Sequence, residues 1–216
     1  MSKKSAAEVK RFLDKNFPLK TTEIKTGLKY PKKNKFALLV AVILSSNTTD
    51  KQVNNVTKEL FKYANKSKAM LKLGRSKIRS IIMSAGLAER KSKYIISLSK
   101  ELISKYNGRV PMNKKDLLKL PGVGNKVAGV FLINAGGEPD FPVDTHVKKC
   151  AIKWKLTKET NAIKISLDLK KLFNKKDWAK IHYQMIHASR SGTCKKMNFL
   201  AICNTLFTKD HKTLKI

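Results

Sequence analysis

Nine consecutive apolar residues, Phe36 to Leu44 (FALLVAVIL), restrict this chain more than any other feature of its sequence. A membrane-spanning helix needs about 18 to 20 such residues, so the run is too short to cross a bilayer. A helix that is apolar on every side must instead be surrounded by other elements. It is expected to be the buried centre of a domain, entered through the proline-and-lysine turn YPKKNK, Tyr30 to Lys35. Around it, apolar residues recur at the helical period, and no convincing period-2 alternation with hairpin turns is present, so the fold class is all-α.

Ala88 to Tyr106 shows the pattern best, with Ile95, Leu98, Leu102 and Tyr106 on one face and Gly108 as a stop. Other helices are expected at about Ser5 to Phe17, Lys35 to Ser45, Thr49 to Tyr63, Lys66 to Leu73, Ser76 to Ser84 and Lys114 to Lys119. Further ones follow at about Asn125 to Ala135, Thr145 to Lys155, Lys158 to Phe173 and Trp178 to Ala188. Thr48, Asp144 and Asp177 stand at N-cap positions. The loops are short and there is neither a low-complexity linker nor a fixed-period repeat, so two domains would share an extended interface rather than hang on a tether.

Lys and Arg total 47 against 15 Asp plus Glu, a net charge of +32. Such a balance points to a polyanionic partner, with nucleic acid first. A lysine-rich composition also raises this count on every surface, so the sign alone does not decide function. The first residues, MSKKSAAEVKRFLDKN, carry charges throughout and lack an apolar signal segment, which predicts a cytosolic protein. Three cysteines, Cys150, Cys194 and Cys203, do not make a disulfide framework.

The most informative stretch is Asp116 to Ala135, DLLKLPGVGNKVAGVFLINA. A short amphipathic helix meets Pro121-Gly122-Val123-Gly124, and an apolar helix begins at once, the sequence form of a helix-hairpin-helix. Gly122 and Gly124 allow backbone angles and close approach that a β-carbon would block. Backbone N–H groups are then left to point at a phosphate oxygen beside a helix N-terminus. Contacts of this kind hold a nucleic-acid backbone without reading its sequence.

Lys126 falls in the first turn of the second helix, where the positive end of the dipole and neighbouring cations disfavour protonation. An unperturbed lysine is neutral only about one part in a thousand near neutral pH, so a Schiff-base nucleophile gains from such a place. The competing reading is a phosphate-binding surface lysine. Asp144 bears on the choice. A helix from Asn125 to Ala135 runs about 16 Å, and the segment Gly136 to Val143 can span roughly 26 Å, so the chain can return and start the next helix near Lys126. Asp144 is an N-cap on one reading and a catalytic carboxylate on the other, and the two roles are compatible.

The stretch LPGVGNK, followed 18 residues after Lys126 by the aspartate of VDTHV, resembles the signature of the endonuclease III family of DNA glycosylases and abasic-site lyases. LLVAVILSSNTTDKQVN, SAGLAERKSKYI and NGRVPMNKKDLLKLPGVG are similar to other stretches of that family, and the likeness covers about residues 20 to 195. It implies two interlocked helical domains with the active site in a cleft: a barrel of residues 26–138 holding the helix-hairpin-helix (about 114–135), and a second domain of 1–25 and 139–216. It implies that Lys126 attacks C1′ of a flipped damaged nucleotide and forms a Schiff base, with Asp144 activating the amine and stabilising the cationic sugar. It implies DNA contacts at Leu120, Gly122, Val123, Gly124, Lys91 and His146, and places Asn47 and Leu87 in the gap left by the flipped nucleotide.

Two departures stand out. Asn47 is one methylene shorter than the glutamine usual in the family, and Leu87 reads equally well as a packed core leucine. The family's C-terminal loop carries four cysteines, whereas here only Cys194 and Cys203 occur, with eight residues between them, and Cys150 lies far upstream. The cluster loop therefore reads as degenerate; no metal or other cofactor is expected, and Phe199, Leu200, Ile202, Leu206 and Phe207 are expected to anchor the tail by burial. The expected function is a bifunctional glycosylase and β-lyase for oxidised pyrimidines in damaged double-stranded DNA, acting as a monomer at the nucleoid of the cytoplasm. A glycosylase for oxidised guanine or a mispaired base, and a non-catalytic helix-hairpin-helix DNA-binding protein, remain as alternatives.

Overall fold

A computed structural model describes residues 3–20, 26–31, 33–198 and 200–203. Among them the secondary structure is helical throughout, without strands. The helices in chain order are α1 (Lys3–Asn16), α2 (Lys35–Leu44), α3 (Asp50–Tyr63), α4 (Ser67–Leu73), α5 (Arg75–Ile81) and α6 (Ala88–Tyr106). Then come α7 (Lys114–Leu117), α8 (Asn125–Ala135), α9 (Thr145–Lys153), α10 (Ala162–Leu172), α11 (Trp178–Arg190) and α12 (Thr193–Lys196). No described helix is long and apolar enough to cross a membrane. The chain divides into two compact units, Thr26–Glu138 and the pair of segments Met1–Lys25 and Pro139–Ile216.

Within the 26–138 unit, α2 is the axis. Asn34 caps it by accepting from Ala37 N at 3.0 Å, and every residue from Phe36 to Leu44 is buried. α3, α6 and α8 pack around it. Each fully buried aliphatic or aromatic side chain contributes about 1.5 to 3 kcal/mol relative to exposure, so this one helix supplies a large share of the unit's stability. α6 turns Ile95, Leu98 and Leu102 into the same core, with Tyr106 at its edge. It ends at Asn107 in the left-handed region (φ 51), and Gly108 N donates back to Leu102 O at 2.8 Å. Thr26 N reaches Asn134 Oδ1 at 2.7 Å, fastening the first described residues of the unit to the last turn of α8.

In the other unit, α1 packs on α11 through a polar seam. Gln184 Nε2 donates to Asp14 Oδ1 (3.0 Å) and Phe17 O (3.1 Å), and Lys180 and Lys10 flank the same carboxylate at 2.7 and 2.6 Å. Phe12 meets the fully buried Trp154 edge-on, with ring centroids 6.2 Å apart.

Several local expectations shift. The cap of α3 is Thr49, which accepts from Gln52 N at 3.2 Å, and not Thr48. Asp177 makes no cap bond; it lies in a 3-10 turn and pairs with Lys10 at 3.8 Å. α10 starts at Ala162 because Asn161 caps Ile163 N and Lys164 N, while Thr157 Oγ1 is taken by Asp168 at 2.6 Å. Of the apolar tail residues, Ile202 is buried but Leu200 is 68% exposed, so burial does not hold every one of them. Phe199, Leu206 and Phe207 lie outside the described residues.

Candidate active site

The hairpin between α7 and α8 is closed by main-chain bonds, Leu120 N to Leu117 O at 3.0 Å and Val123 N to Leu120 O at 3.1 Å. Leu120 and Val123 are buried in the core of the unit, so their side chains are closed to a DNA contact and only their main chain faces the turn. Gly122 has φ +79, and a β-carbon there would lie 2.9 Å from Cβ and Cγ of Tyr94 on α6. The two glycines differ in kind. Gly124 is extended (φ −93, ψ −178), with nothing within 4 Å of an added β-carbon, so its openness serves no packing within the chain.

Gly124 is also the N-cap of α8 and offers no side chain to satisfy the first N–H groups of that helix. Neither Gly122 N nor Gly124 N donates to a backbone carbonyl among the described residues. Unpaired N–H groups at a helix N-terminus, carrying the positive end of its dipole, form an anion site of the kind that grips phosphate. Lys126 is the second residue of α8, exposed, and without an ion-pair or hydrogen-bond partner among the described residues of its unit.

In the other unit, Asp144 caps α9 and accepts from Val147 N at 2.9 Å through Oδ1, which leaves Oδ2 outside the cap bond. Two side chains hold the segment leading to it: Ser166 Oγ donates to Phe141 O at 2.7 Å and His182 Nδ1 to Pro142 O at 2.9 Å. Both are buried, so the approach to Asp144 is fixed from inside. Sequence reasoning singled out neither, and nothing in the spacing points to them, since they lie 25 and 40 residues from their acceptors. His146 Nδ1 meets Ser189 Oγ at 2.9 Å, which orients the ring from one side.

Asn47 and Leu87 share an unusual backbone. Both are exposed, and both have positive φ, 55 and 54. For Leu this conformation costs about 1 to 2 kcal/mol, and such outliers gather where function demands them. Leu87 is 45% exposed, which excludes the reading as a packed core leucine. The two loops are adjacent, since a β-carbon on Gly86 would stand 4.0 Å from the Asn47 carbonyl oxygen. Lys91, expected to touch DNA, is only 2% exposed; its ammonium is turned inward onto Leu44 O and Ala85 O, both at 2.9 Å, which is a correction of that expectation.

Residues 40–175 match the sequence profile of the HhH-GPD superfamily of base excision DNA repair proteins. The chain belongs to that superfamily. It is 40% identical to the endonuclease III of Rickettsia felis over 79% of this chain and 82% of the relative, and 36% identical to that of Haemophilus influenzae over 86% and 85%. A trapped endonuclease III–DNA covalent intermediate superposes with a TM-score of 0.81 at 33% identity, covering 87% of this chain and 86% of the other. A non-covalent endonuclease III–DNA complex gives 0.80 at the same identity, 33%, covering 87% and 86%. The chain is thus a DNA-binding base excision repair glycosylase, and abasic-site lyase activity is consistent with the family.

These relatives correct the expectation of no cofactor, because endonuclease III homologues typically bind a four-iron, four-sulfur cluster. The thiols of this chain, three in all, do not supply four cysteine ligands. Cys150 on α9 donates its thiol to Met185 O at 3.3 Å, and the neighbouring Cys194 thiol on α12 together with burial raises its pKa. The Cys150 thiol beside it lowers that of Cys194, with Lys153 and Lys149 adding to the effect. They lie apart from Cys203, which donates to Glu8 at 3.1 Å. Among the described residues no group of three His, Cys, Asp or Glu side chains is placed to share a metal ion. The donor set present does not fit a four-thiolate cage.

Proposed function

We propose that this glycosylase is bifunctional, removing oxidised pyrimidines from duplex DNA and cutting the resulting abasic site by β-elimination, with Lys126 as nucleophile. The observation that carries the reading is the placement of an exposed lysine, without an ion-pair or hydrogen-bond partner among the described residues of its unit, in the first turn of α8, immediately after a hairpin whose Gly122 and Gly124 N–H groups donate to no backbone carbonyl among the described residues. A phosphate held on those N–H groups sets the backbone of a flipped nucleotide beside the amine. The trapped covalent complex of a relative supports the same chemistry.

The steps follow from the residues. The neutral amine of Lys126 forms a bond to C1′ as the glycosidic C–N bond breaks, and the electron pair leaves with the base, which is then protonated. Asp144 takes the proton that the amine loses and its charge stabilises the developing sugar cation. The proton held by Asp144 passes to O4′ as the C1′–O4′ bond breaks, which opens the ring and gives the Schiff base; water then takes a C2′ proton, and the electron pair expels the 3′ phosphate oxygen and cuts the strand. Water hydrolyses the remaining imine and frees the lysine.

Asn47 and Leu87 fill the space vacated by the flipped nucleotide, and His146 helps to hold the strand. The partner is damaged duplex DNA, engaged by one copy of the chain at the cytoplasmic nucleoid. Lys126→Ala is the test. On a duplex with a single ring-oxidised thymine, strand cleavage should fall by at least about a thousandfold while affinity for the duplex stays within about threefold. Equal losses of affinity and cleavage would assign Lys126 to phosphate binding instead.

A further inference from the structure

Lys91 joins the two loops that carry Asn47 and Leu87. Leu44 is the last residue of α2 and Ala85 the last of the 3-10 turn Met83–Ala85, so their carbonyls point out of helix ends. Neither accepts a bond from a backbone N–H outside the regular helices, and both are taken by the Lys91 ammonium at 2.9 Å. A cation between two helix C-terminal ends complements both sets of orphan carbonyls. Asn47 follows Leu44 by three residues and Leu87 follows Ala85 by two. Lys91 N also donates to Leu87 O at 2.9 Å, so the same residue fixes the start of α6 at the main chain and bridges to the neighbouring loop with its side chain.

We propose that Lys91 is a positioning residue that sets the spacing and aim of Asn47 and Leu87 for insertion into the duplex. The proposal rests on the reading, given above, that those two side chains enter the gap. The residue is buried with no carboxylate of the described residues on its ammonium, and burial, with Arg90 adding to it, lowers its pKa. A cation kept in such surroundings is there for its geometry: a shorter or apolar side chain leaves two buried carbonyls unpaired and releases the loops from one another. Side chains in a functional site need placement within about 0.5 Å, which two loops in the left-handed conformation do not hold without such a tie.

The test compares abasic sites in duplex and in single-stranded DNA, since an isolated strand leaves no gap to fill and needs no inserted side chain. In the full-length Lys91→Met protein, duplex cleavage should fall at least about tenfold and single-strand cleavage by less than about twofold. Leu87→Ala should give the same split, and the double variant should be no worse than either single one, because both remove one function. Equal loss on both substrates would reduce Lys91 to a general structural role and overturn the proposal. A duplex-specific loss in Leu87→Ala with none in Lys91→Met would also overturn it. A lack of duplex-specific loss in Leu87→Ala would instead sink the underlying reading of the gap. If the Met variant does not fold, Lys91→Gln, which reaches one carbonyl, gives the same ratio with a smaller change.

Discussion

Alanine at Gly122 and at Gly124 should separate packing from recognition within one turn. At Gly122 the backbone has φ +79, and the new β-carbon would meet Cβ and Cγ of Tyr94 at 2.9 Å, near the root of that side chain where it cannot swing away. The left-handed conformation costs about 1 to 2 kcal/mol for a residue with a β-carbon. Relieving the overlap costs a further 1 to 3, roughly, and the stiffer unfolded chain returns about 0.4 to 1 kcal/mol. The net loss for Gly122→Ala is about 1 to 4.6 kcal/mol, centred near 3. Gly124 has an ordinary φ of −93 and open space around the built β-carbon, so Gly124→Ala should leave stability within about 0.5 kcal/mol or raise it slightly. The methyl then stands where a phosphate would approach the uncapped start of α8, and duplex affinity should drop about tenfold. Urea unfolding followed by circular dichroism reads the first quantity and fluorescence anisotropy with a labelled duplex the second. Unfolding of Gly124→Ala as readily as Gly122→Ala, or parent-like duplex binding by Gly124→Ala, would overturn this division of roles.

Three further outcomes follow from the geometry. Asp144→Asn keeps an oxygen for the Val147 N–H and should cost less than about 0.5 kcal/mol while slowing base removal; Asp144→Ala loses the cap and should cost about 1 kcal/mol, both read by urea titration. Burial alone would raise the Asp14 carboxyl, but hydrogen bonds from Lys10, Lys180 and Gln184 outweigh it and hold its pKa at about 2. Its contribution is therefore present above the unfolded value near 3.8 and is lost as pH falls toward 2. With the carboxylate nearly a third exposed, this amounts to about 1 to 2 kcal/mol, so wild type and Asp14→Asn should differ by roughly that amount at pH 5, by about a third of it at pH 2.5, and converge only below pH 2. Leu87→Gly relieves the positive-φ strain, offset by about 0.5 to 1 kcal/mol of backbone entropy, and should leave the melting temperature unchanged or higher while duplex cleavage falls.

How much the sequence discloses depends on whether the cause is local. α6 and α8 end where their patterns end, since apolar spacing, Asn107-Gly108 and the two-glycine turn act within a few residues. Asp144 is legible as a cap for the same reason. Thr48 and Thr49 are chemically alike, and only the path of the chain decides which hydroxyl faces Gln52 N. The strained loops of Asn47 and Leu87 are tertiary products: no propensity puts Leu at φ 54, and the tie that supports it comes from a lysine 44 residues after Asn47. Among 47 basic residues, burial of one at Lys91 leaves no mark in the sequence. The same applies to the thiols, because the spacing draws the eye to Cys194 with Cys203 while the packing of α9 on α12 pairs Cys194 with Cys150.

The chemistry assigned to Lys126 is tested most directly by incubating the protein with a duplex carrying one abasic site in the presence of borohydride, which reduces a Schiff base to a permanent bond. A covalent protein–DNA adduct is expected that is retained in Gly124→Ala at saturating DNA and absent in Lys126→Ala. An adduct of undiminished yield in Lys126→Ala, or none with the wild-type protein bound to the same duplex, would contradict that assignment.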